Sequence, residues 1–207
     1  MAYQKPTNLQ LYEDIEFFEK WDKLWMLSKQ KNKPIYKTPA RRQEALWRVP
    51  IGDIVEDGQD ILSQRRAKAS LAIEYYQWRR TWELYQAIDC DITVPCWADC
   101  VDEAKDKKVT EWISHASGAD GGYCYHKAMQ QMTGRRLYLT EQGYMGMGPS
   151  SMQPGDMVVV FPGARIPFVL RPTGEDNTFT YVGDVYCDGI MDGEITLRKE
   201  RQDFFLV

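Results

Sequence analysis

GRRLYLTEQGYMGMGPSSMQPGDMVVVFPGARIPFVLRP, residues 134–172, is where the chain changes grammar from helical to extended. Arg136-Leu137-Tyr138-Leu139-Thr140 alternates with the period of a strand, and Asp156 to Phe161 is a short, almost continuous apolar run. Pro162-Gly163 then turns the chain into Arg165 to Arg171, where Pro167 predicts an edge strand or a bulge because proline cannot donate to a ladder. Farther on, Thr173 to Asn177 reads as a polar turn and Thr178 to Tyr186 as a strand. Asp192-Gly193 reads as a hairpin turn into a strand over 194–197. Short strands at this spacing curl into a small barrel or two packed sheets.

Upstream the pattern is helical. Leu11, Ile15, Phe18, Trp21 and Trp25 recur at spacings of four and three, predicting an amphipathic helix over 7–28. From Lys29 to Arg42 the chain carries Lys29, Lys31, Lys33, Lys37, Arg41 and Arg42 without one acid, and Pro34 and Pro39 interrupt regular structure, so the stretch reads as a basic loop. Short helices are expected over 41–48 and 53–64. A longer one follows in which Leu71, Tyr75, Trp78, Trp82 and Tyr85 keep a four-three rhythm. Further helical segments are read over 97–109 and 108–115, and over 123–132, stopping at Gly134. The expected fold is therefore α+β: a mainly helical N-terminal half packed on a small C-terminal antiparallel β-barrel or sandwich. Its parts are a helix and basic loop (1–42), a helical part (43–133) and a β-rich part (134–207), together one compact domain.

The chain has 207 residues, 43% apolar and 27% charged, ordinary values for a folded globule. With 26 Lys and Arg against 30 Asp and Glu the net charge is −4, which argues against nucleic acid as a partner through whole-surface attraction. No apolar leader opens the sequence and no run approaches the roughly 20 residues that span a bilayer, so a cytoplasmic protein with no membrane partner is expected. The five cysteines, at 90, 96, 100, 124 and 187, lack a Cys-x-x-Cys pair, and no metal or cofactor is expected.

With only two histidines, histidine chemistry is confined to His115 or His126. His126, Asp192 and Glu194 are the candidate acid–base groups, each weighed against a turn or core role. Seven Trp and twelve Tyr make an aromatic-lined cavity a candidate site, with Tyr75, Trp78, Trp82 and Tyr85 as its wall. The competing account of that stripe is a helix–helix seam.

Serial order carries one further signal. Gly134-Arg135-Arg136-Leu137-Tyr138-Leu139-Thr140 is followed by Gly143-Tyr144-Met145-Gly146-Met147-Gly148-Pro149 and Gln153-Pro154-Gly155-Asp156. Next come Gly163-Ala164-Arg165-Ile166-Pro167-Phe168-Val169-Leu170-Arg171-Pro172, Tyr181-Val182-Gly183-Asp184-Val185-Tyr186, and Gly189-Ile190-Met191-Asp192-Gly193-Glu194. Together these resemble the carboxy-terminal region of fungal heterokaryon-incompatibility (HET) proteins, and a weaker match at Glu44-Ala45-Leu46-Trp47-Arg48 with Gly52-Asp53 extends the likeness over 43–207. The family's amino-terminal effector domain finds no counterpart in the sequence. With that domain without a counterpart and no strong catalytic motif in the chain, the expectation is a stand-alone recognition module that binds a protein partner or a small hydrophobic or aromatic molecule, in an oligomeric state left open. The alternative is a metal- and nucleotide-independent cyclase or isomerase of fungal secondary metabolism. Arg48 and Arg171 are candidates for contact with a ligand. If buried they need acids, and Asp53, Asp156, Asp192 and Glu194 are the acids within the motif set, expected as a structural network.

Overall fold

The structure, a computed structural model, describes residues 8–30, 35–56, 64–87, 122–194 and 202–207. The chain forms two compact units, each assembled from separated stretches: Met1–Asp22 with Lys68–Lys127, and Lys23–Ala67 with Ala128–Val207. As the sequence implied, the fold is α+β, with four helices among the described residues. The expected helices over 97–109 and 108–115 lie outside the described residues, as do His115, Cys90, Cys96 and Cys100.

α1 (Asn8–Gln30), which belongs to the first unit as far as Asp22, and α3 (Leu71–Ala87) follow the apolar periodicities. Phe18 and Trp21 of α1 are fully buried, as is Tyr75 of α3, and Leu71 and Trp78 are nearly so. Arg79 ties the two helices by donating to Asp22 Oδ2 at 2.6 Å and to the Tyr75 hydroxyl at 3.1 Å. A further helix, α4 (Tyr123–Gln130), begins after Gly122, and the carboxylate of Glu74 accepts from the Tyr125 N–H at 3.1 Å. A carboxylate there satisfies an otherwise orphaned donor and complements the positive end of the helix dipole.

The second unit holds the end of α1 from Lys23 and then α2 (Pro39–Arg48). Thr38 caps it by accepting from the Arg41 N–H at 3.1 Å. Pro39 does not break structure, as the sequence reading had it. It occupies the first helical position, where a missing N–H costs nothing and the fixed φ favours the helix. A 3₁₀ turn (Val49–Ile51) leads into Gly52 (φ 58°) and Asp53 (φ 56°), both left-handed. That reversal, followed by β-branched Ile54 and Val55, is why the helix expected over 53–64 is absent from its described part. β1 (Ile54–Glu56) pairs instead with β2 (Gln64–Arg66) as an antiparallel ladder.

The remaining strands are β3 (Arg135–Leu139), β4 (Met145–Pro149), β5 (Met157–Val159), β6 (Phe168–Pro172), β7 (Thr178–Asp184), β8 (Tyr186–Cys187) and β9 (Phe205–Leu206). They make a sheet of order β3-β4-β8 and a sheet of order β5-β6-β7-β9. Among the described residues these ladders do not close into a barrel. Val185 alone separates β7 from β8, and the chain crosses from one sheet to the other there. Nor is the larger sheet purely antiparallel, since β9 runs parallel to β7. Pro167 stands just before β6 rather than within it, and β6 is a central strand. The irregularity expected near it does occur, as a register shift between Val169 and Leu170 against β7. The strand expected over 194–197 falls outside the described residues apart from Glu194.

Tyr138, Met152, Val169, Val185, Cys187 and Ile190 form the core between these strands. Burial pushes the Cys187 thiol up to about 12, whereas Cys124 on α4 is exposed. Since the thiolate is the nucleophile, iodoacetamide at mildly alkaline pH is expected to label Cys124 in the native protein and Cys187 only after denaturation. Peptide mass mapping checks this, and native labelling of Cys187 would contradict the packing.

Candidate functional site

Two kinds of surface emerge from the second unit, one built of charges and one of rings. The charged one starts at Asp53, whose buried carboxylate lies between Arg48 and the Arg66 Nε, the latter at 2.7 Å. Arg48 also donates to the Ala67 carbonyl at 3.0 Å and stacks over Trp47 at 4.3 Å. Arg66 reaches on to Asp192, and the Asp192 N–H donates to Glu194 Oε2 at 2.8 Å. Asp53 and Arg48 are largely buried, whereas Arg66 and Asp192 are more than half exposed, so the outer link adds little to stability.

A second acid, Asp188, is wholly buried just after β8, where its N–H donates to the Met145 carbonyl at 2.9 Å. It accepts from Arg41 Nη2 at 3.0 Å and from the Tyr186 hydroxyl at 2.6 Å, and Arg41 Nη1 lies 2.9 Å from its other oxygen. Burial, reinforced by the Asp188 charge, holds the Tyr36 hydroxyl well above the ordinary tyrosine range. Arg42 donates to Ser28 Oγ at 2.6 Å and stacks over Trp25 at 4.5 Å. Arg41 and Arg42 of the basic stretch are thus engaged in packing α2 within this unit. Sequence reasoning missed Asp188. Its only signal was a position immediately before the Gly-Ile-Met-Asp-Gly-Glu motif, with a partner 147 residues away.

Arg171 and Asp156 meet between β6 and the start of β5, Nε to Oδ1 at 2.8 Å and Nη2 to Oδ2 at 3.0 Å. The Arg171 hydrogen bonds hold the Asp156 carboxyl below its usual range, with the Gln153 N–H adding to the effect. A depressed folded-state pKa contributes stability above the unfolded value of about 3.9 and loses it as pH falls through the folded value. Asp156→Asn is therefore expected to melt lower than wild type at neutral pH, with the gap closing below about pH 4. Thermal melts of both proteins across that range check it, and a gap independent of pH would count against the pairing.

In the first unit the aromatic stripe meets other rings. Tyr75 packs edge-on to Tyr125 at 5.2 Å and lies 6.3 Å from Phe18, and Trp78 stacks on His126 at 4.2 Å, the His126 ring being buried. The side chains of Trp82 and Tyr85 lie outside the described residues, although both belong to α3.

The second surface is the face of sheet β5-β6-β7-β9 turned away from the core. Laterally paired residues share a face, and alternate residues along a strand do too. Val158 and Val169 point into the core cluster. Met157, Leu170 and Tyr181, paired in one row, therefore lie on the opposite side of the sheet with Phe168, Phe179 and Leu206, and there Leu170 is itself buried, as Val169 is on the core side. Phe168 stacks on Phe161 at 5.0 Å and lies 6.0 Å from Tyr181; Phe161 stacks on Phe204 at 5.5 Å, and Phe204 meets Phe179 edge-on at 5.8 Å. Met157 and Tyr181 are exposed, as are Ile166, Phe205, Leu206 and Val207, with Phe205 at 71%. The signal in the sequence was the unalternating run from Met157 to Phe161, the mark of a strand apolar on both sides.

A family model described as the Het-6 beta-barrel domain matches residues 2–207. The chain belongs to this Het-6 barrel family. Heterokaryon incompatibility protein 6, OR allele, of Neurospora crassa is 40% identical over 202 residues, which cover 93% of this chain and 29% of the relative. The chain thus spans under a third of the length of the curated relative it matches. No solved structure matches. Membership of the HET-related family accounts for the order of motifs from Gly134 to Glu194. Within that motif series Arg171, Asp156 and Asp192 take part in the ion pairs described above, with Asp188 just before its last motif. Among the described residues no cluster of His, Cys, Asp and Glu could hold a metal ion, and no helix is long and apolar enough to cross a membrane.

Proposed function

We propose that the chain is a recognition module of the Het-6 barrel family, acting in the cytoplasm by binding a protein partner or a small hydrophobic molecule without chemistry of its own. The observation that carries this reading is a sheet apolar on both faces, one forming the core and the other exposing Met157 and Tyr181 beside a run of contacting rings. Exposed apolar side chains grouped beside half-buried rings in this way support a binding role better than scattered ones do. The surroundings of the acid–base candidates support binding over a cyclase or isomerase reaction. Asp192 is paired with Arg66, Glu194 accepts from a backbone N–H, and His126 is buried against Trp78.

The test combines two measurements on the wild-type chain and on Tyr181→Asp, chosen because Tyr181 is exposed and its change spares the core. Quantitative enrichment from fungal hyphal extract and a thermal-shift screen against hydrophobic and aromatic metabolites are both run. A partner or ligand bound by wild type and lost on Tyr181→Asp is expected. Blank results for wild type in both measurements would remove the reading.

A further inference from the structure

We infer that the outer edge of β9 is the seat of an extended, basic segment of a partner protein, added to the sheet as one more strand. This rests on the recognition reading above and specifies how the partner is held. β9 is the last strand of its sheet. The Phe205 N–H donates to the Asn177 carbonyl at 2.8 Å and the Val207 N–H to the Phe179 carbonyl at 3.1 Å, so both are spent on β7. Successive backbone groups along a strand point to opposite sides. Those of Leu206 therefore face away from β7, ready to pair with another extended chain.

Natural sheets blunt such edges with short strands, charge, proline or a covering element, and among the described residues the two-residue β9 has only its shortness. Phe205, Leu206 and Val207 supply neither charge nor proline, and all three are exposed. Strand addition of this kind draws affinity from backbone hydrogen bonds and specificity from alternate side chains. Leu206 shares the aromatic outer face with Phe179, so an incoming strand extends that face and shields it.

Among the described residues the rim is acidic. Glu175 and Asp176 stand in the turn before β7, and Asp203 stands just before β9; all three are exposed, and none makes an ion pair among the described residues. Gln202 Nε2 donates to Asn177 Oδ1 at 2.7 Å and holds this turn against the entry to β9. An occupant that carries Lys or Arg at that end is favoured, and a second copy of this chain, which brings the same carboxylates, is not.

The experiment uses fluorescein-labelled alternating Val-Thr peptides flanked either by Lys or by Glu, titrated by anisotropy against the full chain. Leu206→Pro removes the outward N–H and leaves the Phe205 and Val207 donors in place; an unchanged melting temperature shows that it is folded. A double charge reversal, Glu175→Lys with Asp203→Lys, is titrated beside it. Wild type is expected to bind the Lys-flanked peptide at least about tenfold more tightly than Leu206→Pro does, with the Glu-flanked peptide weaker by a similar factor and the preference inverted by the charge reversal. Equal binding by wild type and Leu206→Pro, absence of binding to either peptide, or indifference to flanking charge would overturn the inference. So would a concentration-dependent dimer abolished by Leu206→Pro, which would give the edge to a second copy. If hyphal enrichment or thermal shift persists unchanged in Leu206→Pro, recognition stands and the edge assignment fails. If wild type itself gives neither, it is the recognition reading that fails.

Discussion

Gly146→Ala is expected to destabilise the protein by about 3 kcal/mol, enough to lower the melting temperature by roughly 6–12 °C for a chain of this size. A Cβ at Gly146 would lie 2.5 Å from both Cζ and the hydroxyl oxygen of Tyr138, and closer still to the Tyr186 carbonyl oxygen. Neither neighbour can yield. The Tyr138 hydroxyl donates to that same carbonyl at 3.0 Å, and Tyr186 is held by β4 through the pairing of Met147 with Tyr186. Gly163→Ala is the control, because its Cβ would meet nothing within 4 Å and its φ of 85° costs only conformational strain, about 1 kcal/mol. Calorimetry on the two variants separates close packing from backbone conformation. A loss at Gly146 no larger than at Gly163 would mean that Tyr138 does not lie across β4.

Comparable in size is the expected effect of Asp188→Ala. Breaking a buried ion pair leaves the surviving charge uncompensated and typically costs 3–5 kcal/mol. Arg41 keeps 31% of its side chain exposed, so water offsets part of that penalty and about 3 kcal/mol is expected here. The Tyr186 hydroxyl also loses its acceptor. Asp188→Asn retains an oxygen for that hydroxyl and should lose less. Replacing both partners, Arg41→Met with Asp188→Leu, should recover part of the loss by removing the orphaned charge altogether. Denaturant titrations of the four proteins check the order. A double variant less stable than Asp188→Ala would show that Arg41 contributes through its other contacts rather than through the pair.

Local grammar was enough for α1, α3, α4, β3, β6 and β7, because each carries a period or a turn residue that acts within its own stretch. It failed at residues 53–64, where left-handed Gly52 and Asp53 redirect the chain and the described ends pair as β1 and β2. It also misread Pro39 as a breaker, since the same residue that ends a helix is well suited to open one. Of the charged contacts, Arg48 with Asp53 is five residues apart and within reach of sequence reasoning, whereas Arg41 with Asp188 and Arg66 with Asp192 are separated by 147 and 126 residues. Nothing in a linear pattern selects one arginine over another across such distances.

By itself, then, the sequence determined the α+β class, the place where helices give way to strands, and, through the serial order of its motifs, the family. Tertiary structure alone decided that the ladders of the described strands stay in separate sheets, that β9 joins its sheet parallel at the edge, and that Asp188 is the acid sealed in the interior. It also decided which aromatic residues face outward: Tyr75 and Trp78 are closed in by other rings, while Tyr181 is exposed on the outer face of its sheet. The reason is physical. Propensity and periodicity act over a few residues, but burial is a property of what a face happens to meet, and that is set only when distant segments close upon one another.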